Sequence, residues 1–363
     1  MNDELLDLLT LLSIEKLTEK KLFILFKRFN SPEKIRNAEI EELSALVGSE
    51  IAKKIKLKQV DDRIKKRYDT VRKTGAMIVP YYSPAYPSWL KKIEYFPPIL
   101  FIRGEIKIED ELSIAVIGTR GATVYGKTIA ENFAAEFVKA GITVVSGMAR
   151  GIDTAAHRSA LKNGGRTIAV LGCGINICYP PENKRLMEEI IENGAVISEF
   201  NLDTPPLAHN FPKRNRIVSG LSKAVVAIEA KEKSGVMNTV NWALDQNKDV
   251  FAIPGNIYSK ASSGTNRLIK EGAIPVTSAA EVLESLGIKH PKTDKTKKDI
   301  ILTDVEKRIW ENLSSDPIYL DTLSERLNQP TGSILNVLLS LEIKGVVEQL
   351  PGMMFVKKFD YFD

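Results

Sequence analysis

A chain of 363 residues, 44% of them hydrophobic, is long enough for two or three cores, and its apolar runs, such as Ala224–Ile228, fall far short of the roughly 20 residues that span a bilayer. Asp3, Glu4 and Asp7 around an amphipathic leucine pattern are unlike a secretory leader, so a cytoplasmic protein with no membrane partner is expected. Two cysteines, Cys173 and Cys178, and three histidines, His157, His209 and His290, are too few and scattered for structural zinc; no metal or cofactor is expected, and the thiols read as reduced and packed.

Residues 1–75 read as helices alone: Leu5–Leu12, Glu19–Phe29, one opening at Ser31-Pro32, a short one near Ile40–Val47 and, past the Gly48-Ser49 break, a basic helix. Residues 51–75 hold ten Lys/Arg against three Asp, more than the whole chain's surplus of +5, and Ile51, Ile55, Val60, Ile64 and Val71 recur at helical spacing. The basic face is either a solvated surface or a nucleic-acid contact. Short helices punctuated by glycine resemble SAM-like or helix-hairpin-helix domains. Residues 76–111, with Tyr86-Pro87 and Pro97-Pro98, suit an extended entry into a second domain.

From Ser113 short β-branched runs alternate with stretches of helix length. The runs are Ile114–Ile117, Ile142–Val145, Thr167–Leu171, Ala195–Ser198, Ala224–Ile228, Val250–Ile253 and Ile274–Val276. This texture predicts an α/β fold, with a Rossmann-like parallel sheet covered on both faces. The expected domains are a helical one at 1–75, the α/β core at 76–288, a lysine-rich linker at 289–299 and a winged helix at 300–363. The last is expected from helices near 303–313, 319–327 and 331–344, followed by strands at 346–350 and 353–357.

In an open parallel sheet the carboxyl ends of the strands line the ligand crevice, and there the sequence is richest. Gly118, Thr119 and Arg120 follow one strand and precede a helix, so backbone N–H groups and a guanidinium can converge on a phosphate. Ser146, Gly147 and Arg150 occupy a comparable turn. Lys213, Arg214 and Arg216 fall within four residues, beside Phe211 and with Asn215 between them, which suits single strands, where phosphates meet cations and bases stack. Arg150 with Asp153, and Arg216 with Glu229, are alternative bracing ion pairs. His157 reads as a packing or hydrogen-bonding residue, and Tyr179-Pro180 as a structural turn.

In chain order the core reads Ala115-Val-Ile-Gly-Thr-Arg120, Tyr125-Gly126, Val145-Ser-Gly-Met-Ala-Arg-Gly-Ile-Asp153, Thr167-Ile-Ala-Val-Leu-Gly-Cys-Gly174, Ser198-Glu199, Phe211-Pro-Lys-Arg-Asn-Arg-Ile217, Ser234-Gly235, Pro254-Gly255 and Gly264-Thr-Asn266. Over about residues 76–277 this resembles the DprA/Smf family, with Val236-Met-Asn238 standing where small and hydroxyl residues are usual. The resemblance implies a non-enzymatic, homodimeric protein that binds incoming single-stranded DNA, protects it and loads RecA onto it during natural transformation. It also implies that Arg120 and the Lys213/Arg214 region contact the strand.

Three rival readings come from the same residues. Gly121-Ala-Thr-Val-Tyr-Gly-Lys-Thr128 satisfies the phosphate-loop pattern of nucleotide hydrolases, for which Glu229 would be the magnesium ligand. A nucleotide-hydrolysing Rossmann enzyme would need a glutamate that Ser234–Trp242 does not contain. A duplex-DNA regulator would rely on the winged helix, yet residues 300–363 carry ten Asp/Glu against six Lys/Arg.

Overall fold

The computed structural model describes residues 3–58, 62–289, 302–314 and 317–357, with residues 62, 63, 65, 67 and 68 in backbone only. Val60 of the basic stretch and residues 290–299 of the expected linker lie outside the described residues. Two compact units result, residues 1–290 and 291–363.

The first unit opens with α1 (Asp3–Leu12), α2 (Glu19–Phe29), α3 (Pro32–Asn37), α4 (Ile40–Val47), α5 (Ser49–Leu57) and α6 (Asp62–Lys73). Local chemistry sets the breaks. Thr18 and Ser31 cap α2 and α3 by accepting from the amides of Lys21 and Lys34, and Pro32 takes the first helical position. The chain leaves helical geometry at Lys58 (φ −72°, ψ 113°), so the single basic helix expected is two. Residue 75 marks a change of secondary structure and not of packing, because Leu8, Leu25, Ile35 and Ile55 share one cluster with Ile99, Phe101, Ala169 and Val196.

The sheet follows. Its strands are β1 (Met77–Pro80), β2 (Ile99–Gly104), β3 (Ser113–Ile117), β4 (Thr143–Ser146), β5 (Thr167–Val170), β6 (Ala195–Ser198), β7 (Ala224–Ala227), β8 (Asp249–Ala252) and β9 (Ile274–Pro275). The crossover helices are α7 (Val124–Lys139), α8 (Ile152–Lys162), α9 (Lys184–Asn193), α10 (Asn210–Leu221), α11 (Gly235–Asp245) and α12 (Ser263–Lys270), and α13 (Ala279–Ser285) follows β9. Among the described residues the order is β1-β2-β6-β5-β4-β3-β7-β8-β9, parallel from β6 to β9. The seven expected runs are all strands. The expected extended entry instead supplies β1 and β2, antiparallel to each other, and β2 is antiparallel to β6.

Alternation within the strands explains why both faces are covered. Ala115, Ile117, Val225 and Ala227 join the cluster that includes Ile217, Val218 and Val240 of α10 and α11. Ile114, Val116, Ala224 and Val226 join the one that includes Phe133, Ala156 and Val282 of α7, α8 and α13. Each buried Val, Ile or Phe among these contributes about 1.5–3 kcal/mol relative to exposure, and each alanine less than about 1 kcal/mol. Strand order reverses between β3 and β7, which opens a crevice at their carboxyl ends. No described helix is long and apolar enough to cross a membrane.

The second unit is the expected winged helix: α14 (Asp304–Glu311), β10 (Ile318–Tyr319), α15 (Leu320–Leu327), α16 (Thr331–Ile343), β11 (Val347–Leu350) and β12 (Met354–Lys357). β12 lies between β10 and β11, so the wing is three-stranded where two strands were expected. Glu306 ties α14 to α16: Lys344 donates to it at 2.7 Å, which holds its carboxyl near 2, with help from Thr303 and Ser340.

Candidate nucleic-acid interface

At the switch point lies a cleft of about 610 Å³. Gly118, Thr119 and Arg120 form one wall, and Gly147, Ala149 and Asp153 the next. Tyr179, Phe211, Arg214 and Asn215 continue round it, and Ser234 and Gly235 close it.

The turn after β4 is shaped by a buried carboxylate. Asp153 accepts from the amides of Gly147 (3.1 Å) and Ala149 (3.3 Å), and Met148 takes a left-handed conformation (φ 60°). Beneath this turn lies Arg214, 4% exposed, whose Nη1 donates to the carbonyls of Gly147 (2.6 Å) and Val170. A Cβ on Gly147 would lie 2.6 Å from the guanidinium nitrogens, so only glycine fits above it. Burial pushes the Asp153 carboxyl up and presses the Arg214 guanidinium down to about 10; each charge offsets the other. Ser146 faces the sheet, donating to Val116 O at 2.7 Å, and so fastens β4 to β3 without lining the cleft.

The rim is cationic and aromatic. Arg120 is exposed, with its guanidinium carbon 5.0 Å from the centre of the Phe211 ring. The Tyr179 ring lies 5.7 Å from Phe211 at 41°. Opposite, the N-terminus of α11 opens on the cleft with no side-chain cap, and the buried Ser234 Oγ finds no partner among the described residues. Uncapped N–H groups and the positive end of the helix dipole are an anion-binding feature.

The expected cations do not gather at one point. Successive residues of α10 turn by about 100°, so Lys213 and Arg216 share a side from which Arg214 diverges. Arg216, 1% exposed, makes a bidentate pair with Glu199 (2.6 and 2.7 Å), and its Nε donates to Tyr95 O at 3.0 Å. Its partner is therefore Glu199 and not Glu229. Lys213 pairs with Glu19 of α2, lies 3.6 Å from Glu199 and sits over the Phe200 ring. Arg150 pairs with Glu182 and not with Asp153. Of the expected residues, Gly118, Thr119, Arg120, Gly147, Phe211, Arg214 and Asn215 line the cleft; Ser146, Arg150, Lys213 and Arg216 do not.

Glu229 also overturns the phosphate-loop reading. Its carboxylate accepts from Thr123 N (2.9 Å) and Thr123 Oγ1 (2.5 Å), at the start of α7. A Cβ on Gly126 would lie 2.3 Å from it. The position a bound phosphate would need is filled by the chain's own buried carboxylate, and Lys127 points to solvent. His157 is fully buried, Nδ1 2.6 Å from Thr167 Oγ1. The Thr167 hydroxyl donates to Val144 O, so Nδ1 carries the proton; burial lowers the ring to about 3. The sequence reading missed Asp153 as the turn's anchor, Tyr179 as a cleft aromatic and Ser234 as a helix start. A serine directly before a helical pattern was the available signal for the last.

A family profile described as DNA recombination-mediator protein A matches residues 77–287, and one described as DprA winged helix domain matches residues 293–353. The chain is 39% identical over 284 residues to Protein Smf of Escherichia coli, covering 76% of each chain. To the DNA processing protein DprA of Streptococcus pneumoniae it is 42% identical over 198 residues, 54% of this chain and 70% of the relative. The X-ray structure of DNA processing protein A from Streptococcus pneumoniae superposes with a TM-score of 0.66 at 33% identity, covering 74% of this chain and 93% of that one. A second, from Helicobacter pylori and described for its single-stranded DNA binding mode, gives 0.53 at 31% identity, over 59% and 97%.

Proposed function

Because the chain belongs to the DprA/Smf family of DNA-processing recombination mediators, we propose that its switch-point cleft binds single-stranded DNA, protects it and hands it to RecA. The observation that carries this reading is the rim, where exposed Arg120 lies over Phe211 with Tyr179 beside it. Aromatic faces accept any base, at about 1–3 kcal/mol per stacked base, while the guanidinium and the α11 N-terminus take phosphates. The Helicobacter pylori relative, described as a single-strand binder, supports the same assignment.

Within this reading Gly118, Thr119, Gly147 and Asn215 give close approach and polar contacts. Arg214 forms the floor, and Arg150 and Lys213 exchange surface carboxylates for phosphates as the strand binds. Two chains in a homodimer would offer one strand two clefts, which raises avidity without new contacts. The test is RecA nucleation on a strand already covered by single-strand-binding protein. Acceleration by the wild-type chain and not by Arg120→Ala supports loading. No acceleration by the wild type, with strand binding intact, removes RecA loading from the reading.

A further inference from the structure

A second hollow, of about 570 Å³, lies between α8 and α9, lined in part by Arg158, Leu161, Lys162, Glu182, Arg185 and Glu189. Its carboxylates are already matched: Glu189 by Arg185 at 2.8 Å, and Glu182 by Arg150. Arg158 and Lys162 are exposed and make no ion pair among the described residues. They stand four residues apart on α8, so their side chains leave one face about 6 Å apart, comparable with neighbouring phosphates on an extended strand. Leu161 and the buried Leu186 give the groove an apolar floor between these charges.

The hollow adjoins the cleft through one ion pair. Arg150 ends the turn whose Gly147 and Ala149 line the cleft, whereas its partner Glu182 lines the hollow, three residues after the cleft's Tyr179. Both members of the pair are about half exposed, 54% and 51%, so the bond is open to competition from an anion.

We propose that the single strand leaving the cleft crosses the Arg150–Glu182 lip and continues along the groove between α8 and α9, where Arg158 and Lys162 each take a phosphate. This rests on the cleft reading and extends it: the cleft holds bases, the groove holds backbone, and the site is longer than the cleft alone. Charge complementarity and continuity with the cleft choose the strand as occupant.

The experiment compares labelled oligo-dT probes of about 5 and about 20 nucleotides, within and beyond the span of one cleft. Wild type is set beside Arg158→Ala/Lys162→Ala and Arg158→Glu/Lys162→Glu, whose folding is checked by thermal unfolding. The short probe should bind all three within about twofold. The long probe should bind the alanine variant with a salt slope shallower by about 1.4, two phosphates' worth, and the glutamate variant about tenfold more weakly. Unchanged binding of the long probe overturns the groove while leaving the cleft standing, as does equal weakening of both probes. If wild type binds neither probe, the cleft reading fails and the groove with it.

Discussion

Arg214 buries a guanidinium where its sequence neighbours suggested a surface cation. It joins the end of β4 to the end of β5 through two carbonyls and offsets Asp153, which in turn holds the Gly147–Ala149 turn. Arg214→Ala should therefore cost ~3–5 kcal/mol by leaving that carboxylate uncompensated, seen as an earlier urea midpoint. Arg214→Lys should recover only part, since one ammonium cannot replace a planar fork. A midpoint that does not move would show the clamp to be idle. His157 makes a pH prediction. Its folded value, about 3, lies below the ordinary 6.5, so between these the unfolded chain binds the extra proton. Its contribution is complete above pH 6.5 and is lost as pH falls toward 3, at up to about 1.4 kcal/mol per unit. Asp153, raised from 3.8, works in the opposite sense just above that value. Urea unfolding of wild type and His157→Gln between pH 4.5 and 6.5 isolates the histidine: the variant's profile should be flatter, and parallel profiles would contradict the assignment.

At the scale of elements, α2 meets α10 on the side of Lys213 and Arg216, outside the cleft lining. α2 carries Glu19 to Lys213 and to within 3.6 Å of Arg216, so a helix outside the sheet shields a cation beside the cleft. Glu19→Gln should free Lys213 and raise affinity for oligo-dT about two- to threefold at low salt, with the gain fading as ionic strength rises. Unchanged or weaker binding would remove Lys213 from the strand's path. This contact also shows what the sequence could not reveal. The seven β-branched runs and the winged helix were legible because hydrophobic period and length mark them locally. β1 and β2 were not, since Pro80 and Pro97-Pro98 interrupt the signal. Lys213, Arg214 and Arg216 are close along the chain, but helical rotation separates them. The partners of Arg150 and Arg216 come from other crossovers, Glu182 and Glu199, which chain proximity did not suggest.

Across the whole molecule, the shared direction of β3 to β9 brings the strand ends that carry Gly118, Gly147, Gly172 and Gly255 to one side of the sheet, and the cleft opens there, where strand order reverses between β3 and β7. That placement was legible in the alternating texture of the sequence, as were seven of the cleft residues; the division of labour among its cations needed the fold. The rim presents aromatic rings and an exposed guanidinium together, a combination that on the proposed reading suits unpaired bases better than a stacked duplex. The most direct test is fluorescence anisotropy with oligo-dT and a matched duplex across a salt series, for wild type and Arg120→Ala. Arg120 is exposed and joins no ion pair among the described residues, so its loss should leave folding intact. The single strand should bind more tightly than the duplex, and the variant should bind it several-fold more weakly with a salt slope shallower by about 0.7. Equal or tighter binding of the duplex, indifferent to Arg120, would contradict the cleft reading.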